Sequence, residues 1–471
     1  MYAEAQASVY HQIIMSYLNA RIRCPLPLLL GWTLLLTSCA DPSGSEPAPN
    51  PETEQHEQPA APLPQTDAAA FPSPPDNPRT ALSEALQAGL LAEPASPKDQ
   101  FKAVLHAAAV SEASQVLVFS KTSFQLRLIS PSNPRAIYFN DDCYIATVPG
   151  GLVEYGDADP DPQIVSGLFA LDLNDGAAAA LKTNGECLSC HSGSRTGGQP
   201  GFFIRSVFPD PEGHVITSAG STDVSHDTPL QKRWGGWYVT GTSGSAHHRG
   251  NQVTIEQPNG DAYINNALGS NITDLSPYFD TDRYLRPTSD IVALMVLEHQ
   301  VQMHNLLTQG AASVRLQTER SRSLAEYLHE EFDPAKSDTL QRVIASNADR
   351  VVKHMLFCDE IRLDAPVIGN DDFQIAFRAN RREDNAGRSL KDFDLQTHMF
   401  RYRCSYMIYS RAFTLMPDLL KDAVIEKLYA VLRGEDSDPS YAHLPMQERA
   451  SILNILRQTT GYFADQQTKA P

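Results

Sequence analysis

Cysteine is scarce, with seven in 471 residues. That density excludes a scaffold in which disulfides stand in for a core. Positive charge is short as well: 38 Lys and Arg face 56 Asp and Glu, a formal net charge of −18. Phosphate backbones repel such a surface, so no nucleic-acid partner is expected. Past the N-terminal segment no apolar run approaches the roughly 20 residues that cross a bilayer, which excludes a multispan membrane protein. No fixed internal period is found, which removes solenoids and propellers. What is present is enough apolar material, 42 %, for a packed core. Proline outnumbers glycine, 33 to 27, and the excess gathers near the N-terminus.

That N-terminus has the marks of an address. Arg21 and Arg23 precede the apolar stretch Leu26 to Leu36, followed by Thr37-Ser38-Cys39. A positive region, a short apolar region and small residues before a cut define an export signal. The Leu-Thr-Ser-Cys ending resembles the lipobox of bacterial lipoproteins. The resemblance implies that 1–38 is a signal peptide and that Cys39 becomes the lipid anchor. The protein would then face the periplasm at a membrane surface. An ordinary signal peptide is the alternative, and Met15 is an alternative start. Residues 39–78 are dominated by Pro, Ala, Glu, Ser and Gln. Such a stretch buries too little to offset ordering entropy and is expected to be a disordered tether.

The body is expected to be α+β. Residues 79–287 form a β-rich part behind N-terminal helices at 79–92 and 97–111. Period-two runs predict strands at 116–119, 125–129, 136–139, 164–173, 202–208, 214–218, 237–240 and 252–256. Residues 288–471 read as helical, with helices at 291–320, 338–357, 398–412, 416–433 and 446–459.

One motif carries chemistry. Residues 187–191 read Cys-Leu-Ser-Cys-His, the spacing for covalent attachment of c-type haem. Two thiols three residues apart can each form a thioether with one porphyrin vinyl group. The histidine that follows is then held beneath the iron. With 7 Cys and 14 His the chance expectation is about 0.003 per chain. Zinc is the first alternative, but Cys143, Cys358 and Cys404 stand alone. A thioredoxin-like redox pair is the second, but the Gly- and Ser-rich flanks do not suit it. A single motif means a single haem. For the sixth iron position the candidates are His248 and His226, each also readable as a hydrogen-bonded loop residue. Met295, His299 and Met303 share one helix face, which reads equally as plain core. An open sixth position remains.

Further segments resemble a known family. Gly197-Gly198-Gln199-Pro200-Gly201, Arg205-Ser206-Val207-Phe208-Pro209-Asp210 and Arg233-Trp234-Gly235-Gly236-Trp237-Tyr238-Val239-Thr240-Gly241-Thr242 follow the haem motif. Together they resemble a largely uncharacterised family of exported bacterial cytochrome c-motif proteins. The likeness continues at 389–395 and 402–406. It implies export and haem c, with Cys187 and Cys190 as tethers and His191 as proximal ligand. Family members carry His-Met-Gly-Asn where this chain has His248-Arg249-Gly250-Asn251, which favours His248 or an open site. Paired Trp234 and Trp237 suit either porphyrin packing or core filling. Arg205 and Arg233 suit either haem propionates or surface salt bridges. Cys143, Cys358 and Cys404 allow one disulfide with a thiol left over, or buried free thiols.

The expected function is a lipid-anchored mono-haem c-type cytochrome that passes single electrons to a basic redox partner protein. One alternative is a haem enzyme of peroxidase or small-oxide reductase type with an open sixth site. Another is a haem-based sensor or scaffold.

Overall fold

The computed structural model describes residues 77–463 apart from 94, 160–166, 184 and 257–261. The 1–38 signal, Cys39 and nearly all of the 39–78 tether lie outside the described residues. Two short helices open the body, α1 (Pro78–Gln87) and α2 (Pro97–Ala107). Asn77 and Ser96 cap them, each followed by proline, whose missing N–H is no loss there. Next come β1 (Val116–Val118), β2 (Arg135–Phe139), β3 (Cys143–Thr147), β4 (Val153–Asp157), β5 (Gly167–Leu171) and β6 (Lys182–Thr183). Helix α3 (Gly185–His191), a hairpin of β7 (Arg205–Val207) and β8 (Ser221–Asp223), and β9 (Trp237–Tyr238) follow. The main sheet is antiparallel, with order β6-β5-β4-β3-β2-β1-β9.

Both faces of this sheet are covered. Alternate side chains of one strand therefore enter different cores. Leu117, Ala136, Tyr138 and Ile145 pack with Leu82, Leu86, Phe101 and Leu105 of α1 and α2. Val116, Val118, Ile137, Phe139, Tyr144 and Ala146 pack against the helical half. There the principal element is α4 (Ile291–Tyr327), started by Asp290, whose carboxylate accepts N–H bonds from Val292 and Ala293. From Ile291 to Leu307 nearly every residue of α4 is buried, as expected of a helix surrounded by protein. Helices α5 (Asp338–Met355), α6 (Asp371–Arg378), α7 (Asp418–Arg433) and α8 (Met446–Thr459) pack around it.

The fold is α+β as expected, with the sheet in the N-terminal half and helices in the C-terminal half. The change of character at 287/288 is one of secondary structure. A single apolar cluster runs across it from Val116 to Phe463. Several local expectations are corrected. Residues 125–129 form turns, with Leu128 N–H bonded to Gln125 O, and their leucines lie exposed. Residues 214–218 follow a turn built on Asp210, whose carboxylate accepts the Glu212 and His214 N–H groups. The helix expected over 398–412 is replaced by bonded turns and short 3₁₀ and α segments capped by Ser405 and Ser410. Among the described residues no helix is long and apolar enough to cross a membrane.

Candidate functional site

Helix α3 sets Cys187 and Cys190 one turn apart, with His191 directly after. Cys187 is buried and Cys190 is exposed. The His191 Nδ1 lies 2.8 Å from Gly201 O. A carbonyl can only accept, so Nδ1 carries the proton and Nε2 keeps its lone pair. Burial holds His191 below the ordinary histidine value, so the ring is neutral at pH 7. Phe203 stacks on the ring at 5.0 Å and Phe202 meets its edge at 6.1 Å.

The acceptor is itself held. The peptide unit that ends in Gly201 O begins the Phe202 N–H, which donates to Asn305 Oδ1 at 3.0 Å. Asn305 Nδ2 donates to Phe202 O at 2.6 Å. One peptide plane thus links α4 on one side to His191 on the other. Glycine is required at 201, because a Cβ there would stand 2.5 Å from Asn305 Oδ1.

His191 lines a partly open pocket with about 80 Å³ of free volume. That is smaller than the roughly 300–1,000 Å³ usual for cofactor sites, so a porphyrin would need the walls to part or would lie partly in solvent. The sheet supplies Ile137, Tyr144 and Ala146, the loop after α3 supplies Phe202, Phe203 and Ile204, and α4 supplies Leu297 and Val301. The polar wall is the ion pair of Arg135 with Glu154, both mostly buried. Arg135 holds Glu154 below the ordinary carboxylate range against an opposing burial effect. Arg135 Nε is buried without a hydrogen-bond partner. Neither Cys187 nor Cys190 lines this pocket, although both precede His191 on α3. The donor set of two thiols, a neutral imidazole and an unpartnered guanidinium N–H suits the chemistry of a porphyrin with carboxylate tails.

The other sequence candidates stand elsewhere. Neither His248 nor His226 lines this pocket. His248 is buried against the edge of Trp234 at 5.1 Å, its Nδ1 accepting the Gly250 N–H at 3.1 Å. His226 meets two other histidines, His299 of α4 and His354 of α5. Met295 and Met303 are core. His304 Nδ1 lies 2.7 Å from Tyr144 Oη at the pocket wall. Trp234 and Trp237 fill core and do not line the pocket. Arg233 is not at the surface: it is buried in an ion pair with Glu298. Trp234 Nε1 donates to the same carboxylate at 3.2 Å. Arg205 stays near Cys190, with its Nε buried and unpartnered. Cys143, Cys358 and Cys404 are buried free thiols, and burial pushes Cys358 up to about 12. Sequence reading missed Arg135, Asn305, Tyr144 and His354. Asn305 and His304 did carry a signal, as polar residues inside an apolar helix.

No protein-family model, curated protein or solved structure matches the chain.

Proposed function

We propose that the chain is an exported, lipid-anchored mono-haem c-type cytochrome that transfers single electrons. The observation that carries this reading is His191. Its Nδ1 proton is committed to Gly201 O while the ring lines an apolar pocket, and Cys187 and Cys190 precede it on the same helix. Cys187 and Cys190 would hold a haem through thioether links and His191 would ligate its iron, which supplies a one-electron couple when bound. Phe202, Phe203 and Ile204 line the pocket with His191 and would keep water from it. Arg135, whose Nε is without a hydrogen-bond partner, would pair with a carboxylate tail. The acidic surface selects a basic partner and makes association salt-sensitive.

A second reading, a haem enzyme with an open sixth site, is favoured by one observation. No histidine or methionine other than His191 lines the pocket, and Tyr144 backed by His304 stands on its wall. The resemblance to cytochrome c-motif proteins is common to both readings.

The test is an absorption spectrum, oxidised and reduced, of chain matured where haem attachment occurs. Covalent haem that survives acid extraction, and is lost in Cys187→Ser/Cys190→Ser, is expected. A low-spin spectrum supports electron transfer, and a high-spin one moves the reading to catalysis. Absence of covalent haem overturns both and returns the two cysteines to zinc or thiol chemistry.

A further inference from the structure

We propose that His226, His299 and His354 bind one first-row divalent transition-metal ion in the helical half, separate from the Cys-Leu-Ser-Cys-His site. The three come from the loop before β9, the first half of α4 and the last turn of α5. One ring nitrogen from each lies within 4.8 Å of the others. The His226 and His299 Nδ1 atoms are 3.0 Å apart.

The outer hydrogen bonds are those of metal-binding histidines. His226 Nε2 reaches Cys358 O at 3.3 Å and His354 Nε2 reaches His299 O at 3.4 Å. Carbonyls only accept, so both rings carry their proton on Nε2 and leave Nδ1 as a lone pair. His299 Nε2 lies 2.8 Å from the Ser405 hydroxyl, which can accept in the same way. A second proton arrangement exists, with Ser405 donating and His299 Nδ1–H bonded to His226. A cation replaces that one proton and uses all three lone pairs. Such outer partners, on backbone and hydroxyl oxygen, fix the tautomer and aim the ring.

His226 and His299 are fully buried and His354 is half-buried, and the hydrogen bonds above occupy both nitrogens of His226 and His299 and Nε2 of His354. Imidazole without thiolate or a carboxylate ligand suits Zn²⁺, Cu²⁺, Fe²⁺ or Ni²⁺, and does not suit Mg²⁺ or Ca²⁺. The strip that holds His226 is itself tied down, with the Ile361 N–H donating to His226 O at 3.1 Å.

The present ring positions need one adjustment. His354 lies flat on His226 at 4.1 Å and on His299 at 5.0 Å. Nitrogens on a tetrahedral zinc stand about 3.4 Å apart, given bonds of about 2.0–2.1 Å. Binding therefore requires the His354 ring to turn edge-on and to approach the other two. His354 sits at the partly exposed side of the cluster, which gives the ion its entry.

The experiment uses the full matured chain, stripped with chelator and dialysed against ZnCl₂. Expected are one zinc per chain by mass spectrometry of the element and a zinc-edge absorption spectrum with three imidazole nitrogens at about 2.0 Å. His354→Gln and His299→Gln should each remove stoichiometric zinc. Ser405→Ala should weaken binding by about 10- to 100-fold. If a variant fails to fold, the wild-type edge spectrum decides alone. No zinc retained, or sulfur at about 2.3 Å, overturns the proposal. The haem reading stands or falls separately, on the absorption spectrum.

Discussion

Through Asn305, α4 holds the peptide unit that orients His191, and removing that side chain tests the arrangement. Asn305→Ala deletes two buried hydrogen bonds, one to Phe202 N–H at 3.0 Å and one to Phe202 O at 2.6 Å. Asn305 is 3 % exposed, so water does not reach the two backbone groups freely. Each buried group left without a partner costs about 1–3 kcal/mol. Partial relaxation of the Phe202 backbone reduces the sum, and a loss of about 2–4 kcal/mol is expected. The assay is urea unfolding at fixed pH, followed by far-UV circular dichroism and by tryptophan fluorescence. Coincident transitions are needed before a free energy is taken from them. The midpoint should fall with the slope unchanged. A loss below about 0.5 kcal/mol would show that the clamp is not under tension from α4, and would refute the account of how His191 is aimed.

Two further perturbations follow from buried charge. Arg233→Met strands Glu298, whose oxygens otherwise take Arg233 and Trp234, and should cost about 3–5 kcal/mol near neutral pH. Adding Glu298→Gln should recover most of that loss, because the amide keeps an acceptor for Trp234; no recovery in a thermal melt would refute the pairing. Acid should also unfold the protein. Burial lowers His248 and His304 to about 3 in the folded state, against about 6.5 unfolded. A depressed histidine stabilises above the unfolded value and loses that contribution as pH falls from about 6.5 towards 3, by up to about 5 kcal/mol each. Asp142, Asp157 and Asp290, raised to about 6 by burial, act in the opposite sense and lose their contribution as pH rises through 6. His304→Gln should flatten the pH dependence of the unfolding free energy by about one proton, and an unchanged slope would exclude His304 as a contributor.

The helical half was largely legible because its helices carry their burial on a sustained period. Helices α4, α5, α7 and α8 fall within a few residues of expectation, with α4 extending to Tyr327. Strands β3 and β4 were not anticipated. Both are buried on two faces, so they show no alternation, and β4 contains Glu154 and Asp157. Those carboxylates are tolerated because Arg135 and Arg79 pair with them from distant positions, which no local pattern reveals. Leu126 and Leu128 mimic a strand yet remain exposed. At the site, the Cys-Leu-Ser-Cys-His spacing announced itself, while its acceptor and clamp did not. Gly201 and Asn305 gain meaning only when α4 crosses the loop after α3. The histidine cluster was invisible for the same reason: His226, His299 and His354 are separated by 73 and 55 positions. Taken singly, His226 suggested an iron ligand; in the fold its ring edge meets His299.

Helix α4 forms one wall of the His191 pocket through Leu297 and Val301, and presents His299 from its other side. In a chain made from its N-terminus, residues 187–191 emerge more than 100 positions before that wall is complete. Until then the pocket is an open trough of sheet and loop. The long-range pairs that dock α4, Asn305 with Phe202 and Glu298 with Arg233, are 103 and 65 residues apart and form late for entropic reasons. On the haem reading proposed above, attachment at the buried Cys187 would belong to the interval before α4 docks, whereas Cys190 stays exposed in the folded chain. Docking then places over the pocket a helix whose other side carries the histidine triad. Cofactor attachment and folding would be ordered in time, with the first thioether formed ahead of the last helix contacts.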